Sequence, residues 1–289
     1  MRLLHFTMLV SPIALTLEAL VAHFRRPTVL AWRDTFTNVF IYLVYSAILS
    51  FWTAATYFIY ARLEGHALFD LTSDGPLAKA WTPAPWVLLV VLEDLCFYSF
   101  HRASHRVRLL WTAHQIHHSS TYFNLSTALR QSWLPFVALP FWLPLPLLGF
   151  APEDVLTVQL ASLFFQFFLH TELVRSYGPL DLVFNSPHHH RAHHGLEEQF
   201  VDRNFGGVLI LWDRLFGSFT RGQPESYGIG EPLRANPVAI QGGPWVRLAR
   251  DVQRAPTWAS KLWTIVGPPE FNPLTEASPW PAGSRSPLP

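Results

Sequence analysis

The chain alternates long apolar runs with short polar ones, and most of the runs are of helical length. Residues 38–61 (NVFIYLVYSAILSFWTAATYFIYA) carry no charge, and about 17–25 mainly apolar residues are enough to cross a bilayer. Residues 84–100 (APWVLLVVLEDLCFYSF), the third apolar run in chain order, are of similar character. Residues 8–24 (MLVSPIALTLEALVAHF) are interrupted by Glu18. A secretory signal has a similar length, but no small-x-small site precedes Arg25 and Arg26, so a first membrane helix is expected. Residues 133–150 and 154–170 read as a helical hairpin turning at Ala151-Pro152. Its first arm holds Pro135, Pro140, Pro144 and Pro146, which predicts kinks and a hairpin that dips into the membrane and returns. From about 180 the chain turns polar. The stretch from 266 is Pro-rich and expected to be poorly ordered. The pattern contains no internal repeat. It predicts one all-α domain over 1–289: an integral-membrane bundle of about four to five helices within 8–170, a helical cap over 171–265, and a disordered tail over 266–289.

Composition supports this. Half of the 289 residues are hydrophobic and 14% are charged, against about 25% in a typical soluble domain. Twelve Trp, 23 Phe and 8 Tyr suit lipid-facing surfaces and interfacial belts. A net charge of +1 gives no electrostatic case for nucleic acid. The single cysteine, Cys96, excludes an internal disulfide and a cysteine-based zinc site. Arg25, Arg26 and Arg33 follow the first apolar run, and Arg102, Arg106 and Arg108 follow the third. The loop after the second run holds only Arg62 and Lys79. The positive-inside bias therefore places the end of the third run, and every histidine cluster, on the cytoplasmic side.

The histidines bring in the chemistry. Of 14 in the chain, ten fall in the windows 101–118 and 188–194. HRASH places His101 and His105 at i, i+4. HQIHH places His114, His117 and His118 at i, i+3, i+4, and HRAHH repeats that spacing with His190, His193 and His194. Such spacings bring imidazoles to one side of a helix. Eight imidazoles exceed the four ligands of a closed zinc site, so two metal ions with about four or five nitrogen ligands each are expected. His170, ending an apolar run, is a ninth candidate. His189 is a candidate for an outer position or a further ligand, and His188 for neither. Imidazole alone does not choose among zinc, copper, iron and nickel. Ligating histidines donate their other N–H to acceptors around them. Asp94, two turns before His101, is expected to accept one, with Glu172 and Asp202 as further candidates.

The segments EDLCFYSFHRASHR, WTAHQIHHSSTYFNLSTALRQS, FFLHTELV, FNSPHHHRAHHG and DRNFGGVLILWDRLFGSF resemble the fatty acid hydroxylase / sterol desaturase superfamily, nearest its alkylglycerol monooxygenase-like branch. The likeness covers roughly 84–222. It implies a non-haem di-iron enzyme that uses O₂ on a lipid substrate, with His101, His105, His114, His117, His118, His190, His193 and His194 on iron. It also implies that Asn124, Arg130, Gln131, Asn204 and Gly206-Gly207 shape the site. His188 stands where a small polar residue is usual. No flavin, haem or ferredoxin motif is present, so electrons are expected from a separate donor. Hydroxylation, desaturation and ether cleavage stay open. A membrane-bound dizinc lipid hydrolase is the rival reading, weakened by the missing serine elbow. A metal transporter would place its ligands in mid-membrane.

Overall fold

The computed structural model describes residues 2–25, 27–72, 74–232 and 235–274. Among these no strand forms; two isolated bridges, Phe184 with Leu209 and Gly195 with Tyr227, are the only β-type pairings. The helices are α1 (Arg2–Arg25), α2 (Trp32–Glu64), α3 (Pro76–Ala80), α4 (Ala84–Arg106), α5 (Arg108–His118), α6 (Pro144–Leu148), α7 (Pro152–Phe167), α8 (Pro187–His193), α9 (Leu211–Leu215), α10 (Pro237–Arg254) and α11 (Trp258–Val266).

Of the described helices, α2 and α4 are long and apolar enough to cross a bilayer. At 33 residues, α2 extends roughly 50 Å. Most of it is clad in exposed aromatic and aliphatic side chains, Phe51 at 79% among them. Its first turns differ: Asp34, Thr35, Thr37 and Asn38 are buried, because this end fronts the histidine-bearing segments.

The hairpin is interrupted at its prolines. Its first arm is broken into a 3-10 segment, Pro135–Phe141, and the short α6, as Pro cannot donate to a continuous ladder. The turn at Gly149 nonetheless reaches the loop beyond the far end of α2. Leu68 N–H donates to Leu147 O at 2.9 Å and Leu71 N–H to Gly149 O at 3.1 Å. Gly149 has φ +110°, and a Cβ there would sit 2.0 Å from Phe69 O, so only glycine fits. Tyr60, Leu89, Trp142, Leu145, Phe150, Val155 and Val158 join α2, α4, α6 and α7 in one apolar core. A second core, Ile41, Ile116 and Ile240, ties α2 to α5 and α10.

The start of the Pro-rich tail is packed against the body of the protein. Phe271 is buried, Arg108 N–H donates to Gly267 O at 2.9 Å, and Arg108 Nη1 donates to Phe271 O. Residues 275–289 lie outside the described residues.

Candidate metal centre

The last two turns of α4 carry His101 and His105. At Val107 the backbone is extended (φ −115°, ψ 118°), which breaks the helix so that α5 can turn back. Its final turn presents His114, His117 and His118. His170 follows the C-terminus of α7. Pro187 starts α8, where a missing N–H costs nothing, and α8 with its C-cap delivers His190, His193 and His194.

All nine ring systems converge, in two groups. His101, His105, His114, His118 and His193 form one; His117, His170, His190 and His194 form the other, with the ligand atoms of each group within 4.8 Å of one another. Each three-histidine box is split. The i, i+4 pairs His114/His118 and His190/His194 serve one group each, while the i+3 residues, His117 and His193, serve the opposite one. Adjacent helical residues diverge by about 100°, so i+3 and i+4 straddle two centres.

The rings point their Nε2 atoms inward. His101 Nε2 lies 3.0 Å from His114 Nε2 and His118 Nε2 3.1 Å from His114 Nε2. In the second group His170 Nε2 lies 3.1 Å from His117 Nε2 and 2.9 Å from His190 Nε2, and His194 Nε2 lies 3.3 Å from His190 Nε2. Nitrogens about 2.1 Å from one ion, at right angles, are about 3.0 Å apart. His105 Nε2 and His193 Nε2 are buried without a hydrogen-bond partner, an arrangement that costs free energy unless a cation takes the lone pairs.

The outward Nδ1 atoms explain the orientation. His101 Nδ1–H donates to Phe205 O and His193 Nδ1–H to Arg203 O, both at 2.7 Å. His105 Nδ1 lies 3.7 Å from the Asp202 carboxylate. His170 Nδ1–H donates to Gln166 O at 2.9 Å. A carbonyl can only accept, so these bonds fix the tautomer that leaves Nε2 unprotonated. Two rings of the five-histidine group are thus held by one segment, 202–205, which also sets Asp202 beside a third, His105. Asp202 (φ 59°) and Asn204 (φ 55°) take left-handed conformations there, which Asp and Asn tolerate best among non-glycine residues. Burial is the main cause that keeps the imidazoles uncharged. It holds His114, His117, His118, His190 and His194 well below the ordinary histidine range. His170 falls to about 3 and His193 to about 4. Neutral imidazole is the ligand form.

Aromatic rings close the site against water. Phe123 stacks on His170 at 5.6 Å and meets His194 at 5.1 Å. Phe205 abuts His101, His105 and His193, and Trp111 covers His105 and His118.

The other expected site residues shape loops. The expectation for Asp94 is corrected: it accepts no histidine N–H. Its carboxylate accepts from Val208 N–H (2.6 Å), Leu209 N–H (3.0 Å) and Trp212 Nε1–H (2.9 Å). It does lie on the face of His101, but seven residues of helix raise it about 10 Å, level with this loop. Asn204 Nδ2 donates to His189 O and Thr220 O. Asn124 accepts from Ser126 N–H and donates to Val29 O. Glu172 lies near Glu18 and the Tyr227 hydroxyl. Neither Asp94 nor Glu172 contributes an atom to either histidine group, and the Asn124 and Asn204 side chains are taken up by loop atoms. His189 stays outside too, its ring against Phe219, and so does His188. Gln131 O accepts from Gln241 Nε2.

Sequence reasoning missed two supporting acids. Asp213, fully buried, accepts from Phe205 N–H at 2.8 Å, Gly206 N–H at 2.7 Å and Ser218 Oγ at 2.7 Å. Asp34 pairs with the buried Arg130 at 2.7 Å and accepts from Ser120 Oγ and Asn38 Nδ2. The i, i+4 pair Asp34/Asn38, just ahead of the apolar run that starts at 38, was its available signal.

Residues 86–218 match the fatty acid hydroxylase family. This stretch is a fatty acid hydroxylase domain. It contains all nine clustered histidines. The chain is similar to alkylglycerol monooxygenases: 46% identical to that of Danio rerio over 55% of this chain and 35% of the relative, and 37% identical to that of Homo sapiens over 78% and 51%. It is also 31% identical to an ornithine lipid hydroxylase of Rhizobium tropici over 50% of this chain and 44% of the relative. The chain thus spans about half the length, or less, of these relatives. No solved structure gives a significant match. The fatty acid hydroxylase domain begins inside α4, so α1, α2 and Asp34 lie outside it.

Proposed function

We propose that the chain is a membrane-bound, non-haem di-iron monooxygenase that hydroxylates a lipid, with an alkylglycerol as the first substrate to test. The observation that carries this is the five-plus-four grouping of nine imidazoles, seven of them buried and two, His105 and His114, partly buried. His101, His105, His114, His118 and His193 would hold one iron, and His117, His170, His190 and His194 the other. Bound iron supplies the redox chemistry that O₂ needs to break an unactivated C–H bond. The chain's residues hold the ligands in one tautomer through the Arg203, Phe205 and Gln166 carbonyls. They also exclude water with Phe123, Phe205 and Trp111 and present an apolar flank to a lipid chain. Electrons come from a separate donor.

In this reading α1, α2, α4 and the hairpin span or enter the bilayer and the histidines face the cytoplasm. Asp34 and the end of α4 lie at the end where the arginines concentrate, while Arg62 and Lys79 lie at the other. Glu18 is also at the histidine end, accepting from Leu125 N–H and Thr171 Oγ1. Protein purified without oxygen should carry about two irons per chain and convert alkylglycerol only with O₂ and reductant. Full activity of an iron-free, zinc-loaded sample would favour a hydrolase and overturn the proposal.

A further inference from the structure

The segment after the third histidine box touches α4 at an unexpected height. Asp94 binds the Val208 and Leu209 N–H groups and the Trp212 indole, and Phe216 stacks on Tyr98 with centroids 5.4 Å apart. Only ten residues of α4 precede Asp94, about 15 Å of helix, against a hydrocarbon core of about 30 Å. If α4 crosses the membrane, the boundary cannot lie at Asp94; it lies nearer His101. Then α9 sits beside α4 at acyl-chain depth.

Its outward face fits that position. Leu215 is 69% exposed, Phe216 48% and Leu211 41%. The neighbouring segment adds Leu180, Leu182 at 58%, and Val183. It is joined to α9 by Ile210 N–H donating to Val183 O and Asn185 N–H to Val208 O. These side chains form a contiguous apolar rim. Arginines border it: Arg102 donates to the Tyr98 hydroxyl, Arg203 to Gly217 O and Arg214 to Asp181 O. Long cationic side chains beside an apolar face suit the headgroup level of an anionic leaflet. The irregular backbone of 202–209 is tolerable there because it is covered by protein, its N–H groups taken by Asp94 and Asp213.

We infer that α9 and residues 180–183 form a rim that inserts into the acyl-chain region of the bilayer leaflet facing the histidine site, with Arg102, Arg203 and Arg214 on its anionic headgroups. The cap is therefore a monotopic wedge rather than a domain standing clear of the membrane. The inference rests on the reading of α4 as a membrane span, and the test separates the two.

The full chain with Cys96→Ala would carry single cysteines at Leu215, Leu182, Val90 or Glu198. Each is labelled with a small fluorophore in vesicles of phosphatidylcholine and phosphatidylglycerol. Acyl-brominated lipid should quench Leu215→Cys and Leu182→Cys severalfold more than aqueous iodide does, and Glu198→Cys should show the reverse. Val90 is an exposed position within α4, so Val90→Cys must be lipid-quenched for α4 to be a span. Lipid quenching at Val90 with iodide quenching at Leu215 and Leu182 would overturn the rim alone. Iodide quenching at Val90 would overturn the span and, with it, the rim. Protection of Leu215 from both quenchers, with cross-linking between two copies, would assign this face to a dimer and also overturn the inference.

Discussion

Asp213 touches no histidine, yet its replacement should loosen one metal of the proposed pair and spare the other. The carboxylate accepts Phe205 N–H and Ser218 Oγ on one oxygen and Gly206 N–H on the other. In Asp213→Asn the amide oxygen can retain the first two. The amide nitrogen then faces the Gly206 N–H, donor against donor. One buried N–H left unpaired costs about 1–3 kcal/mol. At about 1.4 kcal/mol per decade, that is roughly a 5- to 150-fold loss if all of it appears as looser anchoring of the 203–206 segment. Loss of outer-sphere support at metal sites is typically 10–100-fold in affinity. The five-histidine group relies on that segment for His101 and His193. His170 of the four-histidine group is held by Gln166 O instead. Iron titrated against a graded chelator should thus leave the variant in two steps, with the weaker step shifted about 10–100-fold and the stronger near wild type. If both irons leave together, or neither shifts while the melting temperature falls, the 203–206 segment does not orient one centre and the reasoning fails.

Other expectations are shorter. Asp34→Asn removes a carboxylate charge paired with the fully buried Arg130 and should destabilise the protein by about 3–5 kcal/mol, read as a lowered melting temperature in detergent; an unchanged melt would refute it. His190→Ala should lower iron content, whereas His189→Ala should retain about two irons per chain, because the neighbouring ring lies outside both groups; equal loss in both would count against the assignment. Gly149→Ala places a Cβ against Phe69 O at φ +110° and should cost at least about 1–2 kcal/mol, measurable by thermal unfolding; wild-type stability would mean the turn does not hold the loop after α2.

The histidine boxes were legible because a metal demands particular side chains at helical spacing, and both are written in the letters. Membrane runs were legible for the same kind of reason: length and polarity are local. The split of each box between two centres was not, because it depends on how α4, α5, α7 and α8 are rotated against one another. The groups that hold His101 and His193 were invisible because their acceptors are main-chain carbonyls of Phe205 and Arg203, which any residue carries. Asp94 was misread for a geometric reason. Helical phase put it on the correct face, but phase says nothing about the 10 Å of rise that brings it to the 207–212 loop instead. Where the hairpin's turn docks was not legible, because prolines report only on hydrogen bonding within a helix.

The alternation of the two groups along α5 and α8 has a mechanical consequence. His117 and His118 are neighbours serving different centres, and so are His193 and His194. A rotation of α5 about its axis swings His114 and His118 toward one centre while carrying His117 away from the other. The same holds for α8, with His190 and His194 on one arm and His193 on the other. The two helices therefore act as levers between the groups: the imidazoles of one can close in only as those of the other draw apart. A disturbance that reaches either helix is thus felt at both histidine groups with opposite sign.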